Sequence, residues 1–134
     1  MFTFSDGAVS WYSGKQKGVS TSTTEAEYIA LSYTVKEGIF LRQLMSELEG
    51  ISCESPVLIL EDNQGALAIS KNPVYYSKTK HIDVCYHFTR EAVVCGQVQF
   101  KYCPTRDMIA DICTKPLPRE HFEKLRRGLG LAAM

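Results

Sequence analysis

Three acidic side chains stand out by their settings. Glu27 lies in Ser22-Thr23-Thr24-Glu25-Ala26-Glu27-Tyr28, Asp62 opens Asp62-Asn63-Gln64 at the end of an apolar run, and Asp111 sits in Ala110-Asp111-Ile112. Carboxylates carried by a strand end and two helices can converge on divalent metal ions, and a pair of such ions drives in-line attack on a phosphodiester. Hard cations such as Mg2+ choose oxygen donors of this kind. A full site of that type takes one more Asp, on a strand ahead of Glu27. Asp6 is the only acid that precedes Glu25. It stands before Gly7 between two β-forming runs, where Asp-Gly makes a hairpin turn, so it reads as a turn residue in preference to a metal ligand.

The elements that must position these acids can be read from the pattern. Met1–Phe4 and Ala8–Tyr12 are short β-forming runs joined by Ser5-Asp6-Gly7, with Gly supplying the positive φ of the turn. Thr24-x-x-Glu27 has the capping-box form and predicts a long helix over Glu25–Glu49. Ile29, Ala30, Tyr33, Phe40, Leu41, Leu44 and Leu48 recur at spacings of three and four, as one apolar stripe, and Gly50 is the stop. Val57–Leu60 is continuously apolar and predicts a buried strand. A short helix follows over Asn63–Lys71, ended by Asn72-Pro73, then a loop over Val74–Lys80. His81–Val94 predicts a helix with Ile82, Cys85, Tyr86 and Val93 inward, and Gln97–Cys103 alternates as a half-buried strand does. Met108–Lys115 predicts a short helix, and Arg119–Arg127 a last, basic one. Strand, helix and strand in this order predict an α/β sheet covered by helices.

At 134 residues the chain predicts one domain over 1–134. Its 15 basic and 15 acidic residues cancel, so bulk charge gives no case for nucleic-acid binding and any such surface must be a local patch. Five Cys without a C-x-x-C pair predict reduced, packed thiols and no zinc site. No apolar stretch reaches membrane-span length and no basic-plus-apolar leader opens the chain, so the expectation is an intracellular protein of cytosol or nucleus.

Taken together, the motifs resemble one family. Ser10-Trp11-Tyr12-Ser13-Gly14-Lys15-Gln16, Ser22–Ala30, Asp62-Asn63-Gln64-Gly65-Ala66, Thr79-Lys80-His81-Ile82-Asp83, Tyr86-His87-Phe88 and Ala110–Pro118 resemble, in order, the ribonuclease H domain of Ty1/copia-type retrotransposon polyproteins. The resemblance runs from about Phe2 to Leu131. It implies a ribonuclease H-like fold, a mixed sheet flanked by helices, whose two-metal site cleaves the RNA strand of an RNA–DNA hybrid with Mg2+ or Mn2+. Glu27 matches the helix-borne Glu of that site, Asp62 the Asp at the strand end, and Asp111 the late helical Asp. The family's first strand, central in the sheet and bearing the first catalytic Asp, has no counterpart here.

Each residue also has a plainer reading. Glu27 can cap its own helix, and Asp62 can cap the next. Glu25 lies on another face and reads as solvated. Lys78, Lys80 and His81 suit phosphate contacts or a solvated helix start. Tyr75 and Tyr76 suit base stacking or packing. His87 reads as structural, Trp11 as core, and Lys124, Arg126 and Arg127 as a solvated face. A sheet deprived of its middle strand must have its edges closed or paired with another chain. The expectation is therefore an impaired nuclease that binds a protein partner or its own copy. Its rivals are an active endoribonuclease on RNA–DNA hybrids and a non-catalytic nucleic-acid binder.

Overall fold

The hairpin forms where the turn chemistry puts it. β1 (Phe2–Phe4) pairs antiparallel with β2 (Gly7–Ser10), with a bulge where the register shifts between Phe2 and Thr3. The positive φ values are not at glycine, however. Ser5 (φ 48°) and Asp6 (φ 61°) occupy the left-handed region, as the two central residues of a type I′ turn must. Gly7 is the first residue of β2. The computed structural model describes residues 1–16, 20, 22–50, 55–71 and 80–131, without the side chains of Glu49, Lys80, His81 and Ile82.

The remaining elements are α1 (Thr23–Glu49), β3 (Val57–Glu61), α2 (Gln64–Lys71), α3 (Lys80–Val94), β4 (Val98–Tyr102), two short 3-10 turns (Thr105–Asp107 and Ile109–Cys113) and α4 (Arg119–Gly128). The chain is mixed α/β. It divides into two compact units, Ser20–Tyr102 on the one hand and Met1–Val19 with Cys103–Met134 on the other.

In the Ser20–Tyr102 unit, β3 and β4 pair in parallel, Val57 with Val98, Ile59 with Phe100 and Glu61 with Tyr102. Parallel strands need a long crossover, and α2 and α3 supply it. Tyr28, Leu31, Val35, Ile59, Ala66, Ala92 and Val98 form the core, with Ile39, Val57, Ile69, Tyr86, Phe88, Val93 and Phe100 against it. Tyr28 stacks on Tyr86 with ring centroids 4.2 Å apart. Burial pushes the Tyr28 phenol up to about 12, with the neighbouring Thr89 hydroxyl working the other way.

Two packing expectations are corrected. The buried face of α1 is Tyr28, Leu31, Val35 and Ile39, whereas Tyr33, Phe40, Leu44 and Leu48 are exposed. Both sets recur at helical spacing, so α1 is apolar on two sides and periodicity alone does not say which side faces in. β3 is likewise half buried: Ile59 is covered, but Leu58 (53% exposed) and Leu60 (45%) lie on the open face. β4 bonds to one edge of β3, and among the described residues no strand lies on the other.

In the second unit, α4 ends against the hairpin. Gly130 (φ 72°) lies so close to the Asp6 carbonyl that a Cβ there would overlap it, so conformation and space both demand glycine. Two further readings change here. Met108–Lys115 forms a 3-10 turn over Ile109–Cys113, not a helix, and Trp11 is 65% exposed, not core. Pro116 and Pro118 bar a longer helix in the first case. In the second, Trp11 lies past the end of β2, beyond the pleat that would turn it inward.

Candidate functional site

The start of α1 and the end of β3 carry four of the acids. Ser22 is the N-cap of α1, its Oγ accepting from the Glu25 amide at 3.1 Å. The cap thus sits two residues earlier than the Thr24-x-x-Glu27 pattern predicts, and Glu27 lies inside the helix. The earlier start also reverses the expected burial. Glu25 is three residues before Tyr28 on the core face and only 7% exposed, whereas Glu27 is exposed.

At the strand end, Asn63 and not Asp62 caps α2: its Oδ1 accepts from the Ala66 amide at 3.0 Å. Asp62 is partly exposed between strand and helix. Glu61 was absent from the residues singled out, yet it alternates with Val57 and Ile59 on the helix-facing side and is 8% exposed. Its Oε1 accepts from the Asn63 amide at 3.0 Å. Burial raises its carboxyl from the ordinary 4.5 to about 7; the Asn63 bond works against this, and the charges of Glu27 and Asp62 add to it. Gly65 lets the start of α2 approach α1, since a Cβ there would stand 3.0 Å from Asn63 Oδ1 and 3.1 Å from Thr24 Cγ2.

Glu27 and Asp62 therefore share a neighbourhood with Glu61 in one unit. Asp111 belongs to the other unit, as does Asp6. Asp111 is 7% exposed, and both its oxygens face Lys115, whose Nζ is 2.9 Å from Oδ2 and 2.9 Å from Oδ1. Lys78 lies outside the described residues, as do Tyr75 and Tyr76; Lys80 and His81 open α3, with their side chains undescribed. His87 is exposed on α3. None of the four described cysteines forms a disulfide, and Cys53 lies outside the described residues.

The donors are hard oxygens of the type Mg2+ and Mn2+ take. In the unit of Glu25, Glu27, Glu61 and Asp62, no three His, Cys, Asp or Glu side chains among the described residues are gathered closely enough to hold a metal ion. The acids as arranged do not fit a three-ligand ion site.

Comparison with known proteins gives the chain's relatives. The chain is 44% identical, over 131 residues, to the retrovirus-related Pol polyprotein from transposon TNT 1-94 of Nicotiana tabacum, which covers 98% of this chain. It is 42% identical over 123 residues, 92% of the chain, to the corresponding polyproteins from transposons RE2 and RE1 of Arabidopsis thaliana. Its homologues are retrotransposon Pol polyproteins. The chain spans 10% of the first Pol polyprotein and 8% of each of the other two. No family model matches the chain, and no solved structure matches it significantly. Among the described residues, no helix is long and apolar enough to cross a membrane.

Proposed function

We propose that this chain is a ribonuclease H-like domain derived from a Ty1/copia-type retrotransposon, impaired as a nuclease and working as a protein-interaction module. One observation carries the reading. β3 has a strand on one side only among the described residues, and its outward Leu58 and Leu60 are exposed beside the open edge. Unpaired strand edges recruit further strands, with main-chain bonds for affinity and alternate side chains for selection. The partner is an extended segment, from another protein or from a second copy, that lays apolar residues beside Leu58 and Leu60. The acids support the impaired half of the reading, because those of α1 and β3 are not gathered for one ion and Asp111 is engaged by Lys115.

The decisive assay offers the purified chain a labelled RNA–DNA hybrid with Mg2+ or Mn2+, beside an Asp62→Asn control. No cleavage is expected. Cleavage that vanishes in the control would instead establish a metal-dependent endoribonuclease acting through Asp62. Hybrid binding without cleavage, weakening steeply with salt, would mark a non-catalytic nucleic-acid binder. Size exclusion with light scattering tests the edge: a strictly monomeric chain that also captures no extended peptide removes the interaction role.

A further inference from the structure

We propose that Lys115 is a built-in counter-ion that holds the carboxylate of Asp111 in the place of a divalent metal ion. The inference rests on reading Asp111 as the late acid of a family metal site, and it names the cation that faces that acid in this structure.

The geometry is local and closed. Asp111 is buried, and the Lys115 ammonium stands 2.9 Å from each of its two oxygens. An ammonium equidistant from both oxygens occupies the seat that a cation takes when a carboxylate binds it through both. The backbone fixes the lysine there. The Thr114 and Lys115 amides both donate to the Asp111 carbonyl, at 3.1 and 2.9 Å, which returns Lys115 one turn beyond the acid. Pro116 follows directly and stops the turn from continuing.

Tethering decides the competition. Over a span of four residues the ammonium is presented to Asp111 at an effective concentration in the millimolar range or above. A hydrated Mg2+ gives up its waters reluctantly and gains little from one carboxylate. Against a metal ion offered a single carboxylate, the intramolecular cation keeps the seat. Lys115 is about half exposed along its side chain, so it can swing out to solvent if a stronger set of ligands is assembled.

The test is a paramagnetic Mn2+ titration of the isotope-labelled full chain, reading the line widths of the Asp111, Ile112 and Cys113 signals. In the wild type and in Lys115→Arg these signals should stay sharp at a Mn2+ concentration that broadens them in Lys115→Met and Lys115→Gln. Broadening at Asp111 in the wild type overturns the proposal, as does sharpness in both neutral variants. Should neither neutral variant fold, broadening at Asp111 in the wild type still refutes the seat. Broadening confined to Glu61–Asn63 reports on the acids of β3 and upholds the exclusion at Asp111. Hybrid cleavage by a wild type that keeps Mn2+ from Asp111 would refute the impaired-nuclease reading and leave the assignment of Lys115 standing.

Discussion

Glu61 and Asp111 are carboxylates withdrawn from solvent to almost the same degree, 8% and 7% exposed, yet their surroundings are opposite. Around Glu61 the nearby charges are those of Glu27 and Asp62, both of its own sign, and its Oε1 accepts from the Asn63 amide. Asp111 faces an ammonium that touches both its oxygens. One acid is buried beside charges of its own sign, which favour its protonated form, and the other beside a cation. Burial of a carboxylate identifies a site only when its counter-charge is also known.

The largest effect should come from Glu61. The folded chain binds its proton more tightly than the unfolded chain, so stability is lost as pH rises from about 4.5 to about 7 and the slope flattens above that. Glu61→Gln should raise stability at pH 8 by roughly 2–3 kcal/mol and leave it unchanged at pH 4. Denaturant melts at the two pH values measure this, and equal effects at both would break the contrast with Asp111.

Lys115→Met comes next. It leaves Asp111 buried without its cation and should cost roughly 1–2 kcal/mol, less than a fully buried pair because the lysine is half in water. Adding Asp111→Asn should restore most of the loss in a double-mutant cycle. No restoration would mean that the lysine stabilises through something other than this carboxylate.

Glu27→Gln should lower the titration midpoint of Glu61, and Asp62→Asn should lower it less, following the order of their influence. Carbon-detected NMR of the Glu61 carboxyl reads both shifts, and the reverse order would remove Glu27 from the shared neighbourhood.

The smallest effect lies in the hairpin. Ser5→Asn suits a positive φ better than serine and should stabilise by about 0.5 kcal/mol, equally at every pH. It is the uncharged control: a pH-dependent gain would show that the slope assigned to Glu61 has another source.

Much of the element order was legible in the sequence because caps, breakers and alternation are local. Ser-Asp-Gly announced the hairpin, Gly50 the end of α1, and the alternation over Gln97–Cys103 the strand β4. What was not legible depended on partners distant in sequence. Tyr33, Phe40, Leu44 and Leu48 fit a core stripe as well as Tyr28, Leu31 and Val35 do, and only the docking of β3 and α3 chooses between them. Of the acids, Glu27, Asp62 and Asp111 were singled out by their settings. Glu25 reads as solvated when the stripe through Tyr33, Phe40 and Leu44 is set as the inward face, whereas Glu25 shares the face of Tyr28. Glu61 was passed over because a charged residue closing an apolar strand reads as its solvent end. Lys115 carried a usable signal, its four-residue spacing from Asp111.

The open edge of β3 has a colloidal consequence. Val57-Leu58-Ile59-Leu60 is uncharged and β-prone, the composition from which fibres stack when a strand edge is left bare. Pro56 and Glu61 bracket that tetrapeptide, and as gatekeepers they deny a growing stack its two ends. Glu61 thus lowers the melting temperature at neutral pH while keeping the chain in solution, so a variant chosen for heat resistance at this position should be the one that precipitates first on storage.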